Sequence, residues 1–395
     1  MKRLFSDGSG CCGCSACRNI CPEDAISVRE DADGFAYPQI DAARCTGCGL
    51  CGRVCPMRHR PQTDRAALPG FYALKHRSEE VRMQSSSGGA FTALSDRILA
   101  QGGTVYGAAF DCGFQVCHRR AATCKERDAL RGSKYVQSKV GTVLIQVKQD
   151  LQSGLPVLFS GTPCQVGGLA SYLAVSGINS DRLFLCDLVC HGTPSPKLWA
   201  DYLRYLEKRY RSKIRSYSFR DKKFGWRAYQ AVVTFQNGLS VWGRPDVLSY
   251  FKLFGMNLGL RPACYRCPYA SLQRPSDLTI GDFWGIEKAM PDFEDKKGVS
   301  LVLVHTEKGK RLLLSLRDRL ELRPLLPEQG MQWNLQKPSV PACSPDDFWR
   351  DYQAHGFPFL VWKYAEGGAY GRLKRMAKTV LKRLGLFNAV QKLLR

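Results

Sequence analysis

The chain has 395 residues and 18 cysteines, with 58 Lys and Arg against 35 Asp and Glu for a formal charge of +23. That length suits two or three domains with cores of their own. No apolar run approaches the roughly 18 residues of a membrane span, and the basic excess attracts acidic partners without choosing among protein, lipid and nucleic acid.

The first 21 residues hold five of the cysteines and no apolar stretch after a basic start of the kind that directs secretion. A cytoplasmic setting is therefore expected, where thiols stay reduced and clustered cysteines mean metal or redox chemistry. CCGCSACRNICP places Cys11, Cys14, Cys17 and Cys21 at C-x2-C-x2-C-x3-C spacing before Pro22, and CTGCGLCGRVCP repeats it at Cys45, Cys48, Cys51 and Cys55 before Pro56. Three closely spaced thiolates wrap three corners of an iron–sulfur cube, and the fourth ligand comes from the other copy. One [4Fe–4S] cluster is expected on Cys11, Cys14, Cys17 and Cys55, and a second on Cys45, Cys48, Cys51 and Cys21, with zinc as the alternative. Cys12 stands outside the pattern and is expected to bind nothing. Between the copies, AISV and FAYPQI flank Asp33-Gly34 as a short hairpin. Residues 8–60 resemble the bacterial dicluster ferredoxin.

Residues 61–69 read as a polar, proline-bounded linker, after which strands and helices alternate. SEEVRMQSSSGGAFTALSDRILAQGG reads as a helix, a break at Ser85 to Gly89, and a second helix with Phe91, Leu94, Ile98 and Leu99 on its apolar face; the strand TVYGAAF follows. The break either offers free N–H groups to an anion such as a cofactor phosphate or is an ordinary helix cap. Cys112, Cys117 and Cys124 with His118 flank a strand pair at spacings that suit no single site, so no metal is expected on them.

Two matching units follow. PVLFS is a strand, GTPCQ its turn, and Val166, Leu169, Tyr172 and Leu173 mark a helix; LFLCDLV, CHGTPSP and PKLWADYLRYLEKRY repeat the order. Ligands of open α/β sheets collect beyond the carboxyl ends of strands, which is where Cys164 and Cys190 fall. A meander with a tight turn at Asn237-Gly238 comes next, then the C-x2-C knuckle of Cys264 and Cys267, then the strand SDLTIGD. Cys164, Cys190, Cys264 and Cys267 make four thiolates, suited to a third iron–sulfur cluster or a structural zinc. Cys343, between Pro341 and Pro345, is expected to be inert.

Together SSSGGAFTAL, GSKYVQS, LFSGTPCQVGGL, DLVCHGTPSP, FRDKKFGW and CYRCPY with SDLTIGDFWG resemble the coenzyme F(420) hydrogenase/dehydrogenase beta-subunit family, from about Gly70 to about Ser315. The resemblance implies FAD and one [4Fe–4S] cluster, the latter on Cys164, Cys190, Cys264 and Cys267. It also implies flavin contacts from Ser87, Gly88 and Gly89 and from Ser133, Lys134 and Tyr135. Bacterial members with such an N-terminal ferredoxin often occur with cell-surface polysaccharide genes. The expected function is thus an iron–sulfur flavoprotein oxidoreductase linking a one-electron carrier to an organic two-electron substrate. A deazaflavin F(420) oxidoreductase subunit and a non-catalytic electron-transfer subunit are the alternatives.

Lys134, His191 and Asp282 are the catalytic candidates. Lys134 holds the flavin or is a surface lysine; His191 delivers a proton or is structural; Asp282 binds a ribityl hydroxyl, tunes the cluster or caps a turn. Arg220, Asp221, Lys222 and Trp226 line an acidic-substrate pocket or form a charged rim. Partners expected are a redox carrier or partner subunit and a small-molecule substrate, with no nucleic acid because an aromatic-basic module is lacking.

The expected fold is α+β or α/β: a dicluster ferredoxin domain over 1–60, a mixed α/β FAD and 4Fe–4S domain over 70–330, and a C-terminal extension over 331–395. In that extension RLKRMAKTVLKRLGLFNAVQKLLR has eight Lys/Arg and no acid, with Leu373, Met376, Val380, Leu384 and Phe387 on one helical stripe. Such a helix rests on anionic lipid at the inner face of the membrane, or docks on its own domain or a partner.

Overall fold

The computed structural model describes residues 4–5, 9–61 and 68–368. The N-terminal module has two short helices, α1 (Ala16–Ile20) and α2 (Leu50–Arg53), each entered through a residue of left-handed conformation, Ser15 and Gly49. Between them the antiparallel hairpin β1 (Ile26–Glu30) and β2 (Ala36–Ile40) pairs Ile26 with Ile40, as the flanking apolar runs predict. Asp31 accepts the N–H groups of Asp33 and Phe35 on its carboxylate, which closes the turn.

The large domain is built on an eight-stranded sheet. Its strands are β3 (Gly70–His76), β4 (Thr104–Phe110), β5 (Val116–Ala121), β6 (Val157–Gly161) and β7 (Leu183–Leu188), with three more named below. The helices α3 (Glu79–Met83) and α4 (Ala90–Leu99) lead into β4, α5 (Cys124–Asp128) and α6 (Val143–Gln152) lie between β5 and β6, and α7 (Pro163–Val175) and α8 (Pro196–Tyr210) follow β6 and β7. A separate three-stranded meander, β8 (Ile214–Asp221), β9 (Gln230–Phe235) and β10 (Ser240–Trp242), precedes β11 (Leu278–Asp282), β12 (Ser300–Val304) and β13 (Leu320–Leu325). The order across the large sheet is β13-β3-β12-β11-β7-β6-β4-β5. The four central strands β11, β7, β6 and β4 run parallel, and antiparallel strands close both sides. Val157 to Gly161 and Ser300 to Val304 are buried along their whole length, as strands covered on both faces must be.

The helix Pro345–Leu360 returns from the far end of the chain to cover the hairpin. Phe348, Trp349 and Tyr352 pack with Trp199, Tyr202 and Phe35 in one core, and the Phe35 and Trp349 rings meet edge-to-face at 5.9 Å. Phe35 is fully buried there, worth about 2–3 kcal/mol as removed apolar surface. Lys197 Nζ donates to Ala32 O at 2.7 Å and Gln353 Nε2 to Asp33 Oδ1 at 2.9 Å, so the hairpin turn is bound by both α8 and the returning helix. Cys343 is half-buried against this core. Among the described residues no helix is long and apolar enough to cross a membrane. The basic stripe from Leu373 to Phe387 lies outside the described residues.

Candidate redox site

Three cysteine sets sit in different surroundings. Cys11, Cys14 and Cys17 line one cavity together with Cys55, which belongs to the second copy of the motif. Burial, with the Cys11 and Cys55 thiols alongside, pushes Cys17 up to about 12. A free thiolate is too costly there, whereas the positive core of a cluster stabilises it. Cys164, Cys190, Cys264 and Cys267 line a second cavity. Burial raises Cys190, and its neighbours Cys264, Cys164 and Cys267 raise it further.

The remaining set differs. Cys45 and Cys48 are exposed together with the whole stretch Asp41 to Gly49, while Cys51 is half-buried and is raised by burial and by Cys48 and Cys45. Cys21 accepts the Ala25 N–H at 3.4 Å. Among the described residues no three His, Cys, Asp or Glu side chains converge on a single ion; the thiols surround space instead.

Local sequence explains how the third set is held. Gln165 accepts the Thr162 N–H at 3.1 Å, and Pro163 occupies a helix position where no N–H is needed, so α7 starts sharply after β6. Thr162 Oγ1 then lies 3.2 Å from Cys164 Sγ. Thr193 donates its N–H to Cys264 Sγ at 3.4 Å, the kind of contact that favours a thiolate. The glycine pair inside α7 also acquires a reason. A Cβ at Gly168 would stand 2.8 Å from Cys14 Sγ, and one at Gly167 would stand 2.6 Å from the Tyr269 hydroxyl. The bare helix surface lets the N-terminal module approach.

Cys12 belongs to the walls of both enclosed cavities. Its thiol stands close to those of Cys14 and Cys164. Arg261 lies nearby and is also buried. Its guanidinium donates to Cys11 O, to Gln137 Oε1 at 2.9 Å and to Ala36 O at 2.9 Å, and faces the Tyr37 ring at 4.3 Å. No described carboxylate pairs with it. An uncompensated buried cation costs several kcal/mol, and thiolate-bound clusters, each about −2 overall, supply the counter-charge. The two enclosed sets therefore fit [4Fe–4S] clusters by donor type and by charge.

A third cavity of about 270 Å³ opens beyond the carboxyl ends of β6, β7 and β11. The expected residues Ser87, Gly89, Ser133, Lys134, Tyr135, His191 and Asp282 line it. Gly88 does not. Its N–H donates to Ser300 Oγ at 2.9 Å, and a Cβ there would meet Leu74 O at 2.2 Å, so Gly88 fits the loop against the sheet. Gly89, at φ 93°, starts α4 with no side-chain cap. Ser87 Oγ donates to Val299 O, and Ser86 Oγ accepts from Ser133 N–H, so neither serine caps the helix. Thr92, on the same wall, is buried with no hydrogen-bond partner for its hydroxyl. An uncapped ten-residue helix and an orphaned hydroxyl facing one cavity fit a cofactor phosphate.

The candidate catalytic residues are held in distinct ways. Lys134 Nζ donates to Ala129 O and Arg131 O, and burial pulls it down to about 7. His191 bonds Asn257 Oδ1 through Nε2, and burial lowers its pKa. Asp282 is held by Arg220 at 2.6 Å. Arg220 is buried, with further bonds to the Tyr135 hydroxyl and Trp226 O. Lys222 is buried on the carbonyls of Arg82, Ser87 and Lys297, and Trp226 stacks on Trp284. These meander residues line no part of the cavity; they brace its wall from behind. Asp221 accepts Lys223 N–H.

His118 is an unexpected wall residue. Nε2–H donates to Ser160 O at 3.1 Å and Nδ1 accepts from Ser138 Oγ at 3.0 Å, and burial lowers the imidazole to about 4. Gln165 joins it by donating to Ser138 Oγ at 2.9 Å.

Residues 155–327 match the family model for the carboxyl terminus of the coenzyme F420 hydrogenase/dehydrogenase beta subunit, and residues 10–58 match the 4Fe-4S dicluster domain. The first match holds the third cysteine set, His191 and Asp282; the loops at 85–89 and 133–135 precede it. No curated protein matches the chain. A solved chain from the F420-reducing [NiFe] hydrogenase complex of Methanosarcina barkeri is 18% identical, with a TM-score of 0.45 over 74% of this chain and 90% of that one. Residues 155–327 are thus similar to the carboxyl-terminal part of the coenzyme F420 hydrogenase/dehydrogenase beta subunit, in a chain that carries a 4Fe–4S dicluster domain at residues 10–58.

Proposed function

We propose that this iron–sulfur electron-transfer protein is a flavin-dependent oxidoreductase with three [4Fe–4S] clusters and FAD, linking a one-electron carrier to a small organic substrate of cell-surface polysaccharide metabolism. The observation that carries the reading is a shared wall. Cys190, His191, Gly192 and Thr193 border both the third cysteine cavity and the 270 Å³ cavity. Cys12 borders both the first and the third cysteine cavities. Clusters exchange single electrons and a flavin can exchange two, so adjacency of the two kinds of site is what such a protein requires.

The protein's own groups have separable tasks in this reading. The amide end of α4 and Thr92 bind the cofactor phosphates. Lys134, with a pKa near 7, holds or releases a proton at the cavity wall. Asp282, clamped by Arg220, orients polar groups of the ligand. His191 separates the two cavities and keeps its imidazole neutral.

Metal and flavin analysis of anaerobically purified protein is expected to return about twelve irons and one FAD. About eight irons with zinc and no flavin would sink the proposal. Turnover of a candidate substrate by the reduced chain alone separates an enzyme from a non-catalytic electron-transfer protein.

A further inference from the structure

The enclosed cavities lead away from the flavin-sized cavity toward the N-terminal module, and the cysteine set not enclosed is at the surface. A large groove of about 990 Å³ lies between α2, the helix that carries Cys51, and α7 and the helix Glu307–Leu314. Arg53, two residues beyond Cys51, starts its lining, and His59, Arg60, Arg97, Lys308 and Arg311 continue it. Arg53, Arg97 and Arg311 make no ion pair with a described carboxylate. Two acids line the groove. Asp277 is buried and accepts Leu185 N–H and the Thr306 hydroxyl while facing Lys308 at 3.6 Å. Asp181 is exposed at the rim.

We propose that this groove docks an acidic protein electron carrier, placing it against the exposed Cys45 and Cys48. The inference rests on the redox reading above and adds the partner's chemistry and its landing place. Charge complementarity selects the occupant. The chain keeps an excess of about +17 even after three clusters at −2 each, and the groove concentrates unpaired arginines, one of them on the helix of Cys51. The C-terminal segment is a poor alternative occupant, because residues 372–395 are themselves basic, with eight Lys/Arg and no acid. Each encounter moves one electron: the carrier is oxidised by one and this chain reduced by one, or the reverse, with no bond made and no group transferred.

The test uses the full-length, cluster-loaded chain and two reductants in stopped flow. One is a reduced plant-type two-iron ferredoxin, which is acidic; the other is reduced methyl viologen, a small cation. The ferredoxin rate should fall about tenfold between about 0.05 M and about 0.3 M salt, as steered encounters do. Arg97→Glu with Arg311→Glu should lower it about tenfold at low salt, and exposed Arg53→Gln should lower it less. Viologen reduction and iron content should stay unchanged in both variants. Arg215→Glu, at an exposed position of β8, should leave the ferredoxin rate unchanged.

A ferredoxin rate indifferent to the groove variants overturns the proposal, as does an equal loss in Arg215→Glu. Loss of co-sedimentation with phosphatidylserine vesicles in the groove variants, with the ferredoxin rate intact, overturns it in favour of a membrane. Absence of any iron–sulfur signal from the wild-type chain after viologen and after a stronger low-potential reductant removes the parent redox reading itself.

Discussion

The two halves of the dicluster module share a spacing and differ in environment. Cys11, Cys14 and Cys17 are buried against α7 and beneath Arg261, while Cys45 and Cys48 stand in a fully exposed stretch. A repeated motif thus fixes which thiols act together, and the surrounding domain decides which set is insulated. The insulated set borders the third cysteine cavity through Cys12; the exposed set borders solvent, and Arg53, on the same short helix as Cys51, lines the arginine groove.

The sharpest way to break this contrast is to remove one ligand from each side. Cys164→Ser should lose about four irons and leave the N-terminal clusters intact, whereas Cys48→Ser should lose about four others; iron analysis with electron paramagnetic resonance distinguishes the two. In wild-type protein, air and a chelator should release iron in two phases, and Cys48→Ser should lack the fast one. A single phase would show that exposure does not separate the sets.

A smaller effect comes from His118. Its folded pKa is lowered to about 4, so its stabilising contribution is complete above the ordinary value near 6.5 and is lost as pH falls toward 4. Between about pH 7.5 and about pH 5 the loss should be about 2 kcal/mol, read from urea unfolding and flattened in His118→Gln. Gly89→Ala would bring a Cβ to 2.8 Å from His76 Cβ at a positive φ. On the proposed reading it should weaken FAD binding about tenfold, or about 1.4 kcal/mol, in a fluorescence titration, with iron content unchanged.

The smallest effect tests insulation directly. Arg261→Gln removes a buried positive charge beside Cys11 and Cys264. The potentials of the first and third clusters should fall by about 60 mV, tenfold in a one-electron equilibrium, and that of the exposed cluster should hold. A uniform shift would mean that the sets are not electrostatically distinct.

Much of this architecture is legible because it is local. The doubled cysteine spacing pairs Cys55 with the first copy. The apolar runs at Val157 and Leu183 become parallel neighbours in the sheet, and Cys164 and Cys190 fall at their carboxyl ends. Other features depend on contacts between distant segments. Cys12 carries no spacing signal; its position emerges only when α7 packs on the first motif. Arg261 and Gln137 sit in unremarkable stretches and matter because the fold brings them over Cys11. His118 stands near three cysteines in sequence, yet strand pairing turns it toward Ser160. The charged block Arg220 to Trp226 reads equally as the lining of an acidic-substrate pocket or as a rim, because charge usually marks an exposed position; Asp282 and three backbone carbonyls let Arg220 and Lys222 be buried.

The bond between Arg261 and Cys11 O spans 250 residues. At cellular rates of synthesis the arginine is made roughly 12 to 50 s after the cysteine it covers, and Trp349 and Gln353 later still. Throughout that interval the nascent N-terminal thiols lack their roof and stand open to solvent. The long-range clasp that covers the first set in the finished protein can therefore close only after the C-terminal half is made.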